Sequence, residues 1–319
     1  MGVRLLNTFL QTYSSEVTQK MHLRNLRGKR IVVDTSIYMY RFKAANGLIE
    51  NMYMLCSLFR YYGIHPLFIF DGKNRSDAKK LTLEKRKRAK RVAKKKYDEY
   101  ALRIEQVIEE REREKLRTKM DELRRTFVKI TADDLNNIKA LLDAYGIMHR
   151  TAEGEADELC AALVIKGTAY ACLSEDTDLF AYGCPRVLKY ISLINHTIVL
   201  YTLSDILNDL DLSLEDFRTI CLFSGTDYIP AHSCWNIFDI YNLYKSYVRN
   251  GVDTFLDWLL NNKYLKEDDY KKICTEKKRY VAPLVNVLNK TTYFLIRNHV
   301  IQHSKLRKIL KTDGFVFPE

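Results

Sequence analysis

No stretch of the 319 residues approaches the ~18 consecutive apolar residues that a bilayer crossing needs, which excludes a membrane-spanning helix. The opening MGVRLLNTFLQTYSS holds too short an apolar run for a secretory signal, and Leu6 stands where a myristoylation signal wants Ser or Thr. Seven cysteines, at 56, 160, 172, 184, 221, 234 and 274, are scattered singly. An odd, dispersed set argues against a disulfide scaffold or a cysteine zinc site, and for reduced thiols in an intracellular, reducing compartment. A glycine-rich phosphate loop is missing, so an ATPase has no support. Glycine is absent between Gly72 and Gly146, and proline between Pro66 and Pro185, so that stretch should be mostly helical. The rest of the composition, 47% apolar and 29% charged, is ordinary and excludes wholesale disorder.

The net charge of +12 is strongly segregated. Residues 1–72 carry +5, residues 73–125 carry +10, residues 126–259 carry −10 and residues 260–319 carry +7. Residues 73–96 alone hold 13 basic groups against Asp77 and Glu84. Such a run is either a solvated helix face or a phosphate-binding surface, since polyanion binding releases counterions. An acidic centre inside a basic protein adds a second clue. Clustered carboxylates beside a polyanion make sense when cations sit between them.

Three apolar runs lead into aspartate: residues 31–34 (IVVD), residues 67–71 (LFIFD), and residues 169–173 (AYACL) through Ser174 and Glu175 to Asp176. Runs of this length between helical patterns read as buried parallel strands, whose carboxyl ends form the site in an open α/β sheet. Residues 187–191 and 197–202 read as a hairpin. A single straight helix over residues 73–125 would span ~80 Å, whereas a globule of this length is ~50 Å across. The segment must bend, with residues 109–115 as the candidate break, and its basic first half suggests an arch over the site. A further helix is expected from Glu153, with Glu153, Glu155, Asp157 and Glu158 in its first turn and Gly167 as its stop. Another over 214–224 stops at Gly225 and leaves Asp227 on the next loop. Residues 239–317 read as helical, aromatic and basic. His299 and His303 are spaced i,i+4 without a zinc-protease glutamate, and read as a structural pair on a core helix.

The fold class is therefore α/β: a central, mostly parallel sheet flanked by helices, with a basic helical arch and a helical C-terminal region. Residues 1–230 are expected to form the core, including the arch at about 73–130, and residues 231–319 a helical region packed on it. Asp34, Asp71, Glu153, Glu155, Asp176, Asp178 and Asp227 fall at strand ends and adjacent loops. Hard oxygen donors in that number suit Mg²⁺ or Mn²⁺. Two such ions ~3.5–4 Å apart serve phosphodiester hydrolysis.

The order VDTSIYMY (33–40), FIFDGK (68–73), EGEADELCA (153–161), SEDTDLFAYG (174–183) and SGTDY (224–228), preceded by Met-Gly-Val, resembles the structure-specific 5′ nuclease family, which includes the flap endonucleases. The resemblance covers roughly residues 1–230, and all seven metal-site carboxylates of the family find a counterpart. It implies cleavage of DNA bearing a 5′ flap, nick or branch, with Gly2 near the active site and Tyr40 stacking on a substrate base. It also implies two basic residues seven apart, Lys79 and Arg86, gripping the scissile phosphate at the foot of the arch.

Three departures stand out. The family's glycine-rich helical hairpin should follow the last motif, yet residues 228–250 contain no glycine. Lys245 and Arg249, four apart on one helix face, are either phosphate contacts or surface charges. The stretch from Asp34 to Asp71 is short for a flap endonuclease, and the ending TDGFVFPE carries no sliding-clamp peptide. Two alternatives accompany the DNA reading: a ribonuclease of the same fold, and a non-catalytic junction-binding scaffold.

Overall fold

The computed structural model describes residues 2–14, 16, 18–72, 80–107, 109–226, 235–250, 254–290 and 294–315, a few of the helical ones by backbone alone. The chain opens with α1 (Leu6–Tyr13) and β1 (Thr18–His22), followed by β2 (Arg30–Asp34), α2 (Thr35–Ala44), α3 (Leu48–Tyr61) and β3 (His65–Phe70). Helices α4 (Lys80–Gln106), α5 (Glu110–Phe127) and α6 (Ala132–Tyr145) lead to β4 (Met148–Thr151) and α7 (Ala156–Ile165). Then come β5 (Ala171–Leu173), α8 (Asp178–Tyr182), β6 (Arg186–Ser192), β7 (Thr197–Thr202), α9 (Leu203–Asp209) and α10 (Leu214–Ser224). The remaining helices are α11 (Ile237–Asn250), α12 (Phe255–Asn261), α13 (Glu267–Lys290) and α14 (His303–Thr312).

The strands form one sheet in the order β1-β7-β6-β5-β2-β3-β4. Neighbours from β6 to β4 are parallel, while β7 and β1 extend the far edge antiparallel. The runs ending in aspartate thus become three adjacent central strands, β5, β2 and β3. Alternation along them explains the layering. Val32, Leu67 and Ile69 face a core built with α1, α7, α8 and α10–α13. Ile31, Val33, Phe68 and Phe70 face a second core built with α2, α3, α6 and α14. The chain order turns back at β2, between β3 on one side and β5 on the other, and the crevice at that point is where open α/β sheets bind ligands.

Within the long glycine-free segment, α4 and α5 form a helical hairpin. Helix α4 ends at Gln106 and α5 begins at Glu110, at the front edge of the expected break. Tyr97 meets Phe127 at 5.4 Å between ring centroids, Arg103 pairs with Glu112 at 2.8 Å, and Lys90 Nζ donates to the Val128 carbonyl at 2.9 Å, so α4 and α5 run antiparallel.

Two expectations need correction. The helix near Glu153 starts at Ala156, with Glu155 as its N-cap, so Glu153 lies in the preceding loop. His299 and His303 do not share a core helix. Residues 294–302 form no helix, and both rings are exposed. Their backbone is satisfied across the fold instead: His299 N donates to the Gly146 carbonyl at 2.7 Å and Gln302 N to the Ala144 carbonyl at 2.8 Å.

Candidate active site

Asp34 closes β2 and is the N-cap of α2, and Asp71 follows β3 directly. Asp176 lies three residues past β5, and Asp178 opens α8. Parallel pairing of β5, β2 and β3 brings these carboxylates to one edge of the sheet. Asp34, Glu155, Asp176 and Asp178 are buried, whereas Asp71 is half-buried and Glu153 exposed. Burying ionised carboxylates is costly unless donors or cations compensate them.

The compensating donors form a short relay. Ser174 Oγ donates to Asp34 Oδ2 at 3.0 Å and accepts from Asp176 N at 3.1 Å, and Asp178 N donates to Asp176 Oδ1 at 3.1 Å. Asp71 accepts from Ser36 Oγ at 2.8 Å and from Ala156 N, at the start of α7, at 3.0 Å. Asp71 thereby ties the loop carrying Glu153 and Glu155 to the central strands. Gly72 makes this closeness possible: its N–H donates to the Gly154 carbonyl at 2.7 Å, and a Cβ there would run into the Ala152 and Glu153 carbonyls. At both Asp34 and Glu155 the carboxylate makes no capping bond to its own helix. The N-terminal ends of α2 and α7 favour negative charge at this edge.

Gly2 reaches the same place. With φ of 85°, it sits so near the Asp176–Asp178 turn that a Cβ would lie 2.6 Å from Thr177 Oγ1, 2.7 Å from Asp178 N, and closer still to Asp176 Oδ1. Tyr40, 43% exposed, projects from the same helix that Asp34 caps, and the Lys90 ammonium lies 5.0 Å from its ring centroid. Lys245 is exposed on α11, with its ammonium 5.1 Å from the Tyr13 ring and 4.4 Å from the Tyr241 ring. It stands at the far end of α1 from Gly2, roughly 10 Å along that helix. Lys79, Asp227 and the side chains of Arg86 and Arg249 lie outside the described residues.

Hard carboxylate oxygens, with no thiolate or imidazole among the candidates, suit an oxygen-seeking divalent ion. Among the described residues, no three His, Cys, Asp or Glu side chains converge closely enough to hold a metal ion. Burial pushes the thiol of Cys160 up and that of Cys172 well up, with the Asp34 carboxylate adding to both shifts, so they stay protonated.

Sequence reasoning missed several residues here. Ser36 and Ser174 hold the carboxylates, and Ser174 was visible as the first residue of SEDTD. Lys189 is fully buried in β6, its ammonium donating to Asn7 Oδ1 at 3.0 Å and to the Glu175 carbonyl at 3.1 Å. Burial pushes it down to about 8, against the pull of the Glu175 and Asp176 carboxylates. Its signal was a lysine at an inward position of the apolar run 187–191.

Residues 1–93 match the model of the XPG N-terminal domain and residues 146–227 that of the XPG I-region. Flap endonuclease 1 of Cryptosporidium muris is 27% identical over 296 residues, covering 83% of this chain and 59% of that protein. Flap endonuclease 1-A of Oryza sativa subsp. japonica is 26% identical, covering 72% and 63%. The chain thus spans about three fifths of the length of these curated relatives. Among solved structures, the catalytic core of Rad2 in complex with a DNA substrate superposes with a TM-score of 0.68 at 22% identity, covering 98% of this chain and 95% of that one. The flap endonuclease-1 of Methanococcus jannaschii gives 0.62 at 20%, covering 94% and 92%.

Proposed function

Because the chain belongs to the XPG/Rad2 structure-specific nuclease family, we propose that it is a divalent-metal-dependent nuclease cutting DNA that carries a 5′ flap, nick or branch. The observation that supports this reading is that Asp34, Asp71, Asp176 and Asp178 all lie at or just beyond the carboxyl ends of three adjacent parallel strands, three of them buried. Asp34, Asp71, Glu153 and Glu155 would hold one ion, and Asp176, Asp178 and Asp227 the other. When bound, Mg²⁺, or Mn²⁺ in its place, supplies positive charge and water activation for phosphodiester hydrolysis.

The chain's own residues do the rest. Lys79 and Arg86 offset the charge that develops on the scissile phosphate. Tyr40, on the arch side of Asp34, offers a ring face on which an unpaired terminal base stacks. Gly2 closes the site beside Asp176, and Lys245 and Arg249 meet duplex phosphates farther out along α11. Residues 1–230 serve as the nuclease core, with α4 and α5 as the arch, and residues 231–319 pack on that core. The free cysteines among the described residues fit a reducing, intracellular setting.

End-labelled 5′-flap, nicked, blunt and single-stranded substrates, in DNA and RNA, incubated with Mg²⁺ or EDTA, test this. The reading expects Mg²⁺-dependent cutting near the DNA flap base. Cutting confined to RNA would move the assignment to a ribonuclease of the same fold, which the glycine-free segment 228–250 leaves room for.

A further inference from the structure

The turn between β5 and α8 carries Asp176 and Asp178, and the residue before them is gripped at both ends. The Glu175 carbonyl accepts from the buried Lys189 ammonium at 3.1 Å. Its carboxylate accepts from Tyr190 N at 2.9 Å and, more distantly, from Tyr38 OH at 3.5 Å, with Arg41 3.7 Å away. That grip requires an irregularity in β6. The pairing with β7 slips between Lys189 and Ser192, and Tyr190 takes the left-handed φ of 56°, which an aromatic residue rarely adopts. Strain of this kind persists only where the surroundings hold it. Here the Tyr190 N–H is held by Glu175. Lys189 also donates to Asn7 Oδ1 at 3.0 Å, on the helix α1 that follows Gly2. One ammonium therefore joins the β6 bulge, the Asp176–Asp178 turn and the N-terminal segment lying against that turn.

We propose that Lys189 is a positioning residue for the divalent-ion site: it fixes the Asp176–Asp178 turn by holding the Glu175 carbonyl and the Asn7 side chain together. The inference rests on the nuclease reading above. Its sign sets it apart from plain electrostatics. A cation beside an ion site opposes the ion, so removing the charge alone tightens divalent-ion binding. Removing the brace leaves two acceptors without their donor, and the turn moves to find others. The positioning role thus predicts weaker binding despite the lost positive charge.

Mn²⁺ binding to the full chain, followed by the electron paramagnetic resonance signal of free Mn²⁺, reads this without any cleavage step. Lys189→Met should weaken binding by about tenfold, and Lys189→Arg, which keeps charge and donors, should return it to within about threefold of wild type. Asn7→Ala, which leaves the ammonium in place, should weaken binding by about threefold, and it answers the question even where Lys189→Met does not fold. Unchanged affinity in folded Lys189→Met or in Asn7→Ala would make Lys189 a packing residue and overturn the proposal. Tighter binding in Lys189→Met would make it a simple counter-charge and overturn it equally. A wild-type protein that binds no Mn²⁺ would bring down the nuclease reading as well.

Discussion

Gly2→Ala is a small change with a large expected effect. The left-handed φ of 85° costs an alanine about 1–2 kcal/mol. Its Cβ would also lie within 2.6 Å of Thr177 Oγ1 and 2.7 Å of Asp178 N, where real Cβ atoms keep beyond 3.0 Å. Either the N-terminal segment or the Asp176–Asp178 turn must retreat by several tenths of an ångström or more. A displacement of ~1 Å at a catalytic centre costs on the order of 100-fold in rate. The expected result is a loss of roughly 100-fold in single-turnover flap cleavage, about 2.7 kcal/mol on the barrier. The melting temperature should fall by only about 2–4 °C, the shift that about 1 kcal/mol of strain gives a chain of this size. Gly28→Ala is the matched control. Its φ of 73° imposes similar strain, yet nothing lies within 4 Å of a Cβ there. It should lose comparable stability and keep cleavage within about twofold. Gly2→Ala cleaving within twofold of wild type would refute the idea that the N-terminal segment and the Asp176–Asp178 turn are fitted to one another.

Other expectations follow from the same geometry. Ser174→Ala removes a buried hydroxyl that donates to Asp34 and accepts from Asp176 N, and should cost about 2 kcal/mol in urea unfolding along with most of the activity. Reversing Lys79 and Arg86 to Glu should lower single-turnover cutting far more than duplex affinity, and equal losses would make them general phosphate binders. Lys189 predicts a pH dependence of stability. Below about pH 8 its ammonium is retained in both states, and burying it costs stability. Between about 8 and the ordinary 10.5 the unfolded chain binds the proton more tightly, so this group makes stability rise with pH, by up to about 3 kcal/mol. Urea unfolding at pH 7.5 and 9.5 should show that rise in wild type, and a smaller one in Lys189→Met.

The centre of the fold was legible because burial writes plainly in sequence. Runs such as IVVD and LFIFD are apolar on both faces, as sandwiched parallel strands must be, and their aspartates mark the carboxyl edge. The rim was not legible. Strand β1 (TQKMH) and strand β4 (MHRT) are polar edge strands defined by pairing with β7 and β3 rather than by their own pattern. The segment around His299 has helical spacing, but its backbone bonds to Gly146 and Ala144 decide against a helix. The candidate carboxylates Asp34, Asp71 and Asp176 are picked from their place after apolar runs, and those runs are strands β2, β3 and β5. The groups that orient them could not be found in that way, since Ser36, Lys189 and Asn7 act through contacts between residues far apart in sequence.

The most direct test of the central claim is single-turnover cleavage of an end-labelled 5′-flap duplex by wild type and Asp176→Ala, in Mg²⁺ and in EDTA, with duplex binding measured in parallel. The account predicts cutting only by wild type in Mg²⁺, with Asp176→Ala below a percent of that rate and binding nearly unchanged. An Asp176→Ala protein that cuts at more than a percent of the wild-type rate, or a wild type that cuts equally well in EDTA, would contradict it.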